Sequence, residues 1–219
     1  LNAYGINTIG DLADTDVAVL KSLFGKNGEM LHSFANGTEC SPVRHKDEIS
    51  DVKSVGNSTT APRDLVNEED VKTVFRVLCE SVSARLREKG LKGRVVTIYV
   101  RDKELSSFSR QMKIPANTDI STEIFYYAMK LFCTNYFWNK PIRSLGVSVS
   151  DFDVTYEQFD FEKTVENREK QERLETAVDS LRRRFGNYCI GRACQLKDTE
   201  LSKFNPHEEH IIHPVGFFS

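Results

Sequence analysis

Two hydrophobic periods alternate along residues 53–150 and divide that stretch into strands and helices. Val71, Val74, Phe75, Leu78, Val82 and Leu86 recur at three- and four-residue steps, which predicts an amphipathic helix. Asn67 stands at its N-cap, Glu68, Glu69 and Asp70 oppose the positive end of its dipole, and Gly90 marks its stop. Val95–Arg101 alternates by two, with Val96, Ile98 and Val100 on one side and Thr97, Tyr99 and Arg101 on the other. Ser107–Ile114 is its expected partner strand. A second helix starts near Thr118 or Asp119 and carries Ile120, Ile124, Ala128, Leu131 and Phe132. Arg143–Ser150, with Leu145, Val147 and Val149 inward, is the last strand, and Lys53–Thr60 the first. The order is βαββαβ, an α+β domain whose helices are expected on one face of the sheet.

The flanks read differently. Residues 1–40 suggest short helices punctuated by glycine: Gly5 as a helix stop, Thr8 and Asp11 at capping-box spacing, and Gly37 closing a helix that opens near Gly28. Because the chain opens on what reads as a helix end, it is expected to be cut inside a larger unit. Residues 41–52 are polar and contain proline, as a linker would. In the tail, residues 153–219, Leu174, Val178, Leu181 and Phe185 form an apolar stripe beside Arg182, Arg183 and Arg184. That stripe is expected to pack on the body or on a partner; the acids around it argue against a membrane.

Parity assembles the other face of the sheet from Ser54, Gly56, Ser58, Thr60, Thr97, Tyr99, Ser109, Gln111, Ser144, Gly146 and Ser148. Small hydroxylated side chains and a glycine cannot shield a backbone, so the run KSVGNSTT is either an ordinary solvent-facing edge strand or a surface that another polar backbone approaches closely. Lys53 adds a positive charge. Residues 53–150 carry 16 basic against 10 acidic side chains, whereas residues 1–52 carry 4 against 8 and residues 151–219 carry 10 against 14. A basic module inside a chain of net charge -2 is the footprint of a polyanion binder. A stand-alone RNA-binding domain is disfavoured, because an RNA-recognition sheet stacks bases on paired aromatics that LSSFSRQMKI does not supply. One conflict remains in the pattern: if Met112 and Ile114 face the core, parity also sends Arg110 inward unless a strand end or bulge re-aims it.

No apolar run approaches the roughly 20 residues that span a bilayer, and no secretory leader is legible, so a cytoplasmic placement is expected. The five cysteines are scattered without a CxxC pair, and reduced thiols are expected.

Taken in order, YGINTIGDLA (Tyr4–Ala13), FGKNGEML with ANG (Phe24–Gly37), KSVGNSTT, ARLREKG (Ala84–Gly90), the Ser109–Arg110 pair before KIP, and PIRSLGVSVSDF (Pro141–Phe152) resemble the C-terminal half of Y-family, translesion DNA polymerases of the ImpB/MucB/SamB group. The resemblance implies a partial helix-hairpin-helix thumb over residues 1–40, without its leading hairpin, and a DNA-binding little finger over residues 53–152. It implies phosphate contacts by Gly25, Lys26 and Gly28 in the thumb, and by Lys53, Ser54, Gly56, Asn57, Ser58, Thr60, Arg110 and Arg143 in the little finger. For Gly5 a helix stop is the plainer role. For each arginine a surface salt bridge is the alternative.

The resemblance further implies two-metal nucleotidyl transfer on palm carboxylates, with magnesium, in the parent polymerase. The palm would precede the thumb, so this chain is expected to bind primer-template DNA and to catalyse nothing alone. Asp14 with Asp16 and Asp151 with Asp153 are spaced as DxD, but the first pair reads as a helix cap and the second as a turn. Gln158, Phe159, Asp160 and Phe161 are similar to the peptide by which such polymerases dock on the sliding clamp. Phe161 and Glu162 depart from its usual leucine and phenylalanine, and an amphipathic linker stays open. His207, His210 and His213, with Cys189 or Cys194, lack the spacing of a zinc site. Two functions are therefore carried forward: a DNA-gripping portion of a translesion polymerase, and a non-catalytic module that recruits a sliding clamp or recombinase.

Overall fold

The computed structural model describes residues 1–43, 52–152 and 164–205. The chain divides into two units, Leu1–Ser50 and Asp51–Ser219. In the first, α1 (Ile9–Asp14), α2 (Val17–Phe24) and α3 (Lys26–Ala35) close around Ile6, Leu12 and Leu20. The capping box is present: Asp11 N–H donates to Thr8 Oγ1 at 3.0 Å and Thr8 N–H to Asp11 Oδ2 at 2.9 Å. The Asn7 N–H, then the Thr8 N–H and hydroxyl, hold the Asp11 carboxyl below its ordinary pKa. Gly5 ends a 3-10 turn with φ +75°. Helix α3 begins two residues before the expected Gly28, because Gly25 serves both as the stop of α2 and as the N-cap of α3.

The second unit has the order β1 (Ser54–Leu65), α4 (Glu68–Glu88), β2 (Gly93–Asp102), β3 (Ser107–Thr118), α5 (Ser121–Asn135) and β4 (Ile142–Ser150). The four strands form one antiparallel sheet in the order β1-β4-β2-β3. The sheet's inward row, including Val55, Val96, Ile98, Val100, Leu145, Val147 and Val149, shares one core with the apolar stripes of α4 and α5. Asn67 caps α4 by accepting from Asp70 N–H at 2.9 Å. Strand β1 runs five residues past the expected Thr60, through a bulge that accommodates Pro62 and brings Leu65 opposite Ile142. Helix α5 starts at Ser121 rather than at Thr118; the Thr118 hydroxyl instead accepts from Ile120 N–H at 3.0 Å.

Helix α6 (Thr164–Phe185) and the short α7 (Thr199–Ser202) follow. Of the two alternatives for the α6 stripe, packing on the body does not hold. Its polar side faces α4: Asp179 and Glu175 pair with Arg87 at 2.6 and 3.1 Å, Arg182 with Glu80 at 2.9 Å, and Glu172 with Lys92 at 2.8 Å. Leu174, Leu181 and Phe185 are exposed. The core of the unit is already filled by α4 and α5, so what α4 offers on its outer side is Glu80, Ser83 and Arg87, and only a polar face can pair with those. Helix α7 is anchored by Leu201, which is fully buried, and by Asp198, which meets Arg63 at 2.6 Å. Among the described residues no helix is long and apolar enough to cross a membrane.

Candidate nucleic-acid interface

Strand register turns the expected polar face into four cross-sheet rungs. They are Ser54–Ser150–Val95–Lys113, Gly56–Ser148–Thr97–Gln111, Ser58–Gly146–Tyr99–Ser109 and Thr60–Ser144–Arg101–Ser107. All lie opposite the helices, and Tyr99 is their only aromatic. The hydroxyls of Thr60 and Ser144 bond across one rung at 3.1 Å. Lys113 and Arg101 belong to this face although the sequence reading did not select them as site residues; Lys113 is two positions beyond Gln111, so the same parity would have found it. Both are partly engaged, Lys113 with Asp151 at 3.1 Å and Arg101 with the Leu105 carbonyl at 3.3 Å.

Strand β1 is also an edge. Arg85, from α4, donates to the Gly56 carbonyl at 2.7 Å, which fixes that carbonyl, and with it the amide of the same residue, on the side away from β4. By the same alternation the amides of Ser54, Ser58 and Thr60 point outward. Ser58 N–H is taken by Asn57 Oδ1 at 3.0 Å. The edge therefore presents the Ser54, Gly56 and Thr60 amides beside a row of hydroxyls, which is an arrangement of donors suited to an anion.

Two glycines answer to the pairing of β1 with β4. A Cβ at Gly56 would come within 2.5 Å of the Ser148 Cβ, and one at Gly146 within 2.9 Å of the Ser58 Cβ. It is β4, not a ligand, that approaches Gly56 so closely; glycine opposite serine, in both directions, lets the two strands pair tightly. The side chain of Asn57 is likewise unsuited to the face: it is buried, and its Nδ2 donates to Ser81 Oγ at 3.2 Å. Only its main chain lies at the edge strand.

The expected cations are separated. Lys53 stands just before the Ser54 rung, and Arg143 is the extra residue between the Ser144 and Ile142 pairings, roughly 20 Å farther along the sheet. Arg110 pairs with Ile98, an inward position, in an unbulged register. Parity was thus right and no bulge re-aims it. The side chain is nevertheless exposed, because β3 is the far edge of the sheet; it lies 5.4 Å from the Phe108 ring centroid and donates to the Ser109 carbonyl at 2.8 Å. Arg110 accordingly does not share the hydroxyl face with Lys53 and Arg143.

In the first unit Gly25 has φ +61° and ψ -139°, a conformation that disfavours any side chain, and it leaves the start of α3 without a side-chain cap. Lys26 is exposed beside it. Gly28 does not fit a contact role. It is buried, its N–H donates to the Gly25 carbonyl at 3.0 Å, and a Cβ there would lie 2.1 Å from the Leu20 carbonyl oxygen. Its role is to let α3 close on α2.

Two of the four DxD carboxylates have partners in the fold. Asp16 caps α2 by accepting from Ala18 N–H at 2.7 Å, and Asp151, at φ +62°, ends β4 with its carboxylate on Lys113. Asp153, the peptide Gln158–Phe161 and the histidines 207, 210 and 213 lie outside the described residues. Cys79 is fully buried and burial pushes its thiol pKa up, so it behaves as an apolar group; all five cysteines are free.

The sequence signature of the impB/mucB/samB family C-terminal domain matches residues 52–161, the stretch that holds the whole sheet. The chain belongs to this family. It is 42% identical over 205 residues to a DNA polymerase IV of Acetivibrio thermocellus, covering 93% of this chain and 51% of that protein. A DNA polymerase IV of Clostridium acetobutylicum is 34% identical, with 91% and 50% covered, and DNA polymerase IV 1 of Bacillus subtilis is 34% identical, with 91% and 48% covered. The chain thus spans about half the length of the curated relatives it matches. Among solved structures a chimaeric Y-family DNA polymerase superposes with a TM-score of 0.50 at 19% identity, over 71% of this chain and 44% of that one, and so shares the fold. In this impB/mucB/samB domain the matched region also takes in α4, which holds Arg85 against the β1 edge.

Proposed function

We propose that this chain is the DNA-gripping C-terminal portion of a translesion polymerase, with residues 53–152 acting as the little finger and residues 1–40 as part of the thumb. The observation that carries the reading is the β1 edge, where outward amides of Ser54, Gly56 and Thr60 adjoin a sheet face of hydroxyls with a single aromatic. Such a surface holds phosphates and does not read or stack bases. Lys53 and Arg143 would neutralise phosphates at the two ends of that face, Arg110 a phosphate at the far edge, and the Gly25–Lys26 turn a phosphate of the duplex at the start of α3. Polymerisation would belong to the whole protein, whose catalytic carboxylates would hold magnesium; no step of that chemistry falls to the residues described here.

The test is binding of the chain to fluorescent primer-template DNA across a salt series. The logarithm of affinity should fall with log salt by about 0.9 per phosphate neutralised, hence by several units, and should not depend on sequence. Salt-independent binding or strong discrimination among duplexes overturns the reading. We also propose that Gln158, Phe159, Asp160 and Phe161 dock on a sliding clamp. Replacing Gln158, Phe159 and Phe161 by alanine should abolish clamp binding in calorimetry and leave DNA affinity unchanged; undiminished clamp affinity in the triple variant sinks that assignment.

A further inference from the structure

Helix α6 is amphipathic the wrong way round for a helix that belongs to one domain alone. Its inward side is charged and satisfied: Glu172, Glu175, Asp179 and Arg182 all have partners on the body. Its apolar residues Leu174, Val178, Leu181 and Phe185 follow a four-three-four spacing, the seam of a helix pair; Leu174 is 60%, Leu181 40% and Phe185 61% exposed, and Val178 is half-buried. Turning the acids inward also sorts the charge. Beside the seam, on the flank away from the body, stand the exposed cations Lys170, Arg173 and Arg184. The acids Glu172, Glu175 and Asp179 are spent on the body, and Glu169 is exposed one turn before Arg173. What α6 presents is a narrow apolar seam about 16 Å long with a basic margin.

We propose that this face docks an acidic amphipathic helix of a partner protein. The seam spacing asks for a helix, whose side chains fill the gaps between successive turns, and the basic margin asks for glutamates or aspartates alongside its apolar stripe. A second copy of this chain does not meet that need. Its seam has the same basic margin and all but Glu169 of the acids with described side chains are turned to its own body, so pairing would set Lys170 and Arg184 mostly against like charges. A bilayer is the poorer fit to a narrow seam of only four residues whose other side is held by ion pairs to a folded body, and a phosphate backbone leaves the leucines and phenylalanine unsatisfied.

The proposal is independent of the polymerase reading, and its test uses the full chain. The probe is a labelled synthetic helix with leucines at four-three spacing flanked by glutamates, and a second peptide in which every glutamate is lysine. The acidic peptide should bind, with anisotropy reporting a loss of about tenfold or more in the pair Leu181→Ser with Phe185→Ser. The pair Lys170→Glu with Arg184→Glu should lose the acidic peptide and gain the basic one. Circular dichroism unchanged from the parent chain shows that these surface substitutions leave the fold intact. Absence of binding by the acidic peptide, or equal binding of both peptides, overturns the proposal. So does a dimer in sedimentation equilibrium that depends on Leu181 and Phe185, or a preference of this face for vesicles of equal phosphatidylcholine and phosphatidylserine, or for duplex DNA.

Discussion

Helices α4 and α6 lie side by side on the same domain and are held by opposite physics. Helix α4 buries Val71, Val74, Phe75, Leu78, Val82 and Leu86 completely against the sheet, whereas α6 meets α4 through carboxylates and guanidinium groups and keeps its own leucines outside. Apolar burial is not weakened by the screening of charge and is lost only when the domain unfolds. Ionic docking pays desolvation for each charge and returns it through directional bonds, so it contributes little net free energy and can be released alone. One helix therefore belongs to the fold, and the other is fastened to it. The fastening reaches deep: Arg87 Nη1 also donates to the Asp119 carbonyl at 2.7 Å and to Ser83 Oγ at 2.8 Å. Beside them the buried Asp119 carboxyl, raised in pKa by desolvation, leaves Oδ1 without a hydrogen bond.

The contrast is sharpest for a substitution in the α4 stripe. Phe75 is fully buried and packs edge-on against Phe132 at 6.2 Å between ring centroids, so Phe75→Ala should cost about 4 kcal/mol and lower the denaturation midpoint of the whole domain. A loss under about 1 kcal/mol would mean that the core is not continuous through α4. Arg87→Ala should act differently. It strands Asp179, whose side chain is only 16% exposed, and leaves Glu175, 11% exposed, to Ser121 and Arg192, at about 3 kcal/mol if α6 stays docked. Undocking rehydrates both acids, so the loss is capped at the docking free energy of α6. Hydrogen exchange should then rise across α6 while the sheet keeps its protection; uniform loss of protection would break the comparison.

The sequence made α4 legible and α6 misleading for one reason. Periodicity shows which side of a helix is apolar, and the inference that this side is buried holds only where apolar surface remains to meet it. For α4 the sheet supplied that surface; for α6 the core was already filled. The polar face of the sheet was recoverable by parity alone, because a two-residue period fixes every side once one residue is placed. The same parity placed Arg110 with the inward row, where it is, but could not show that β3 is an edge strand on which an inward position is still wet. Pairing partners are long-range facts, and so the need for glycine opposite Ser148 and opposite Ser58 was invisible along the chain. Gly28 was misjudged in the same way, since nothing in GKNG announces the Leu20 carbonyl.

A smaller effect should follow at α7, which mixes both modes. Arg63 donates to Asp70 at 2.9 and 3.0 Å and to Asp198 at 2.6 Å, tying β1, the start of α4 and α7 together. Burial by itself raises the Asp70 pKa, but hydrogen bonds from Arg63 and from Val66 N–H outweigh it, and the net shift is downward. Asp198 is held below its ordinary value by the Leu201 amide and then by Arg63. Carboxyls depressed in the folded state stabilise it fully above their unfolded pKa, about 3.9, and that contribution is lost as pH falls through the lower folded values. Arg63→Ala should therefore cost about 2 kcal/mol near pH 7, less than a fully buried pair because the guanidinium is 36% exposed. The gap between variant and parent should close as pH drops below about 4 in urea melts. A gap that stays constant with pH would assign Arg63 a packing role and no ionic one.

The smallest effect tests the comparison most directly. Leu174 lies at the start of the α6 seam with 60% of its surface exposed, so replacing it by alanine removes little buried area and leaves no cavity. Alanine is also the better helix former by a few tenths of a kcal/mol. Leu174→Ala should then change stability by less than about 0.5 kcal/mol, in the same urea melts that report about 4 kcal/mol for Phe75→Ala. Exchange across α6 should stay as it was, because the ion pairs to Arg87, Glu80 and Lys92 are untouched. A loss of 2 kcal/mol or more would require Leu174 to be covered in solution by the rest of this chain, and α6 would then be held as α4 is, by the apolar stripe that its sequence advertises.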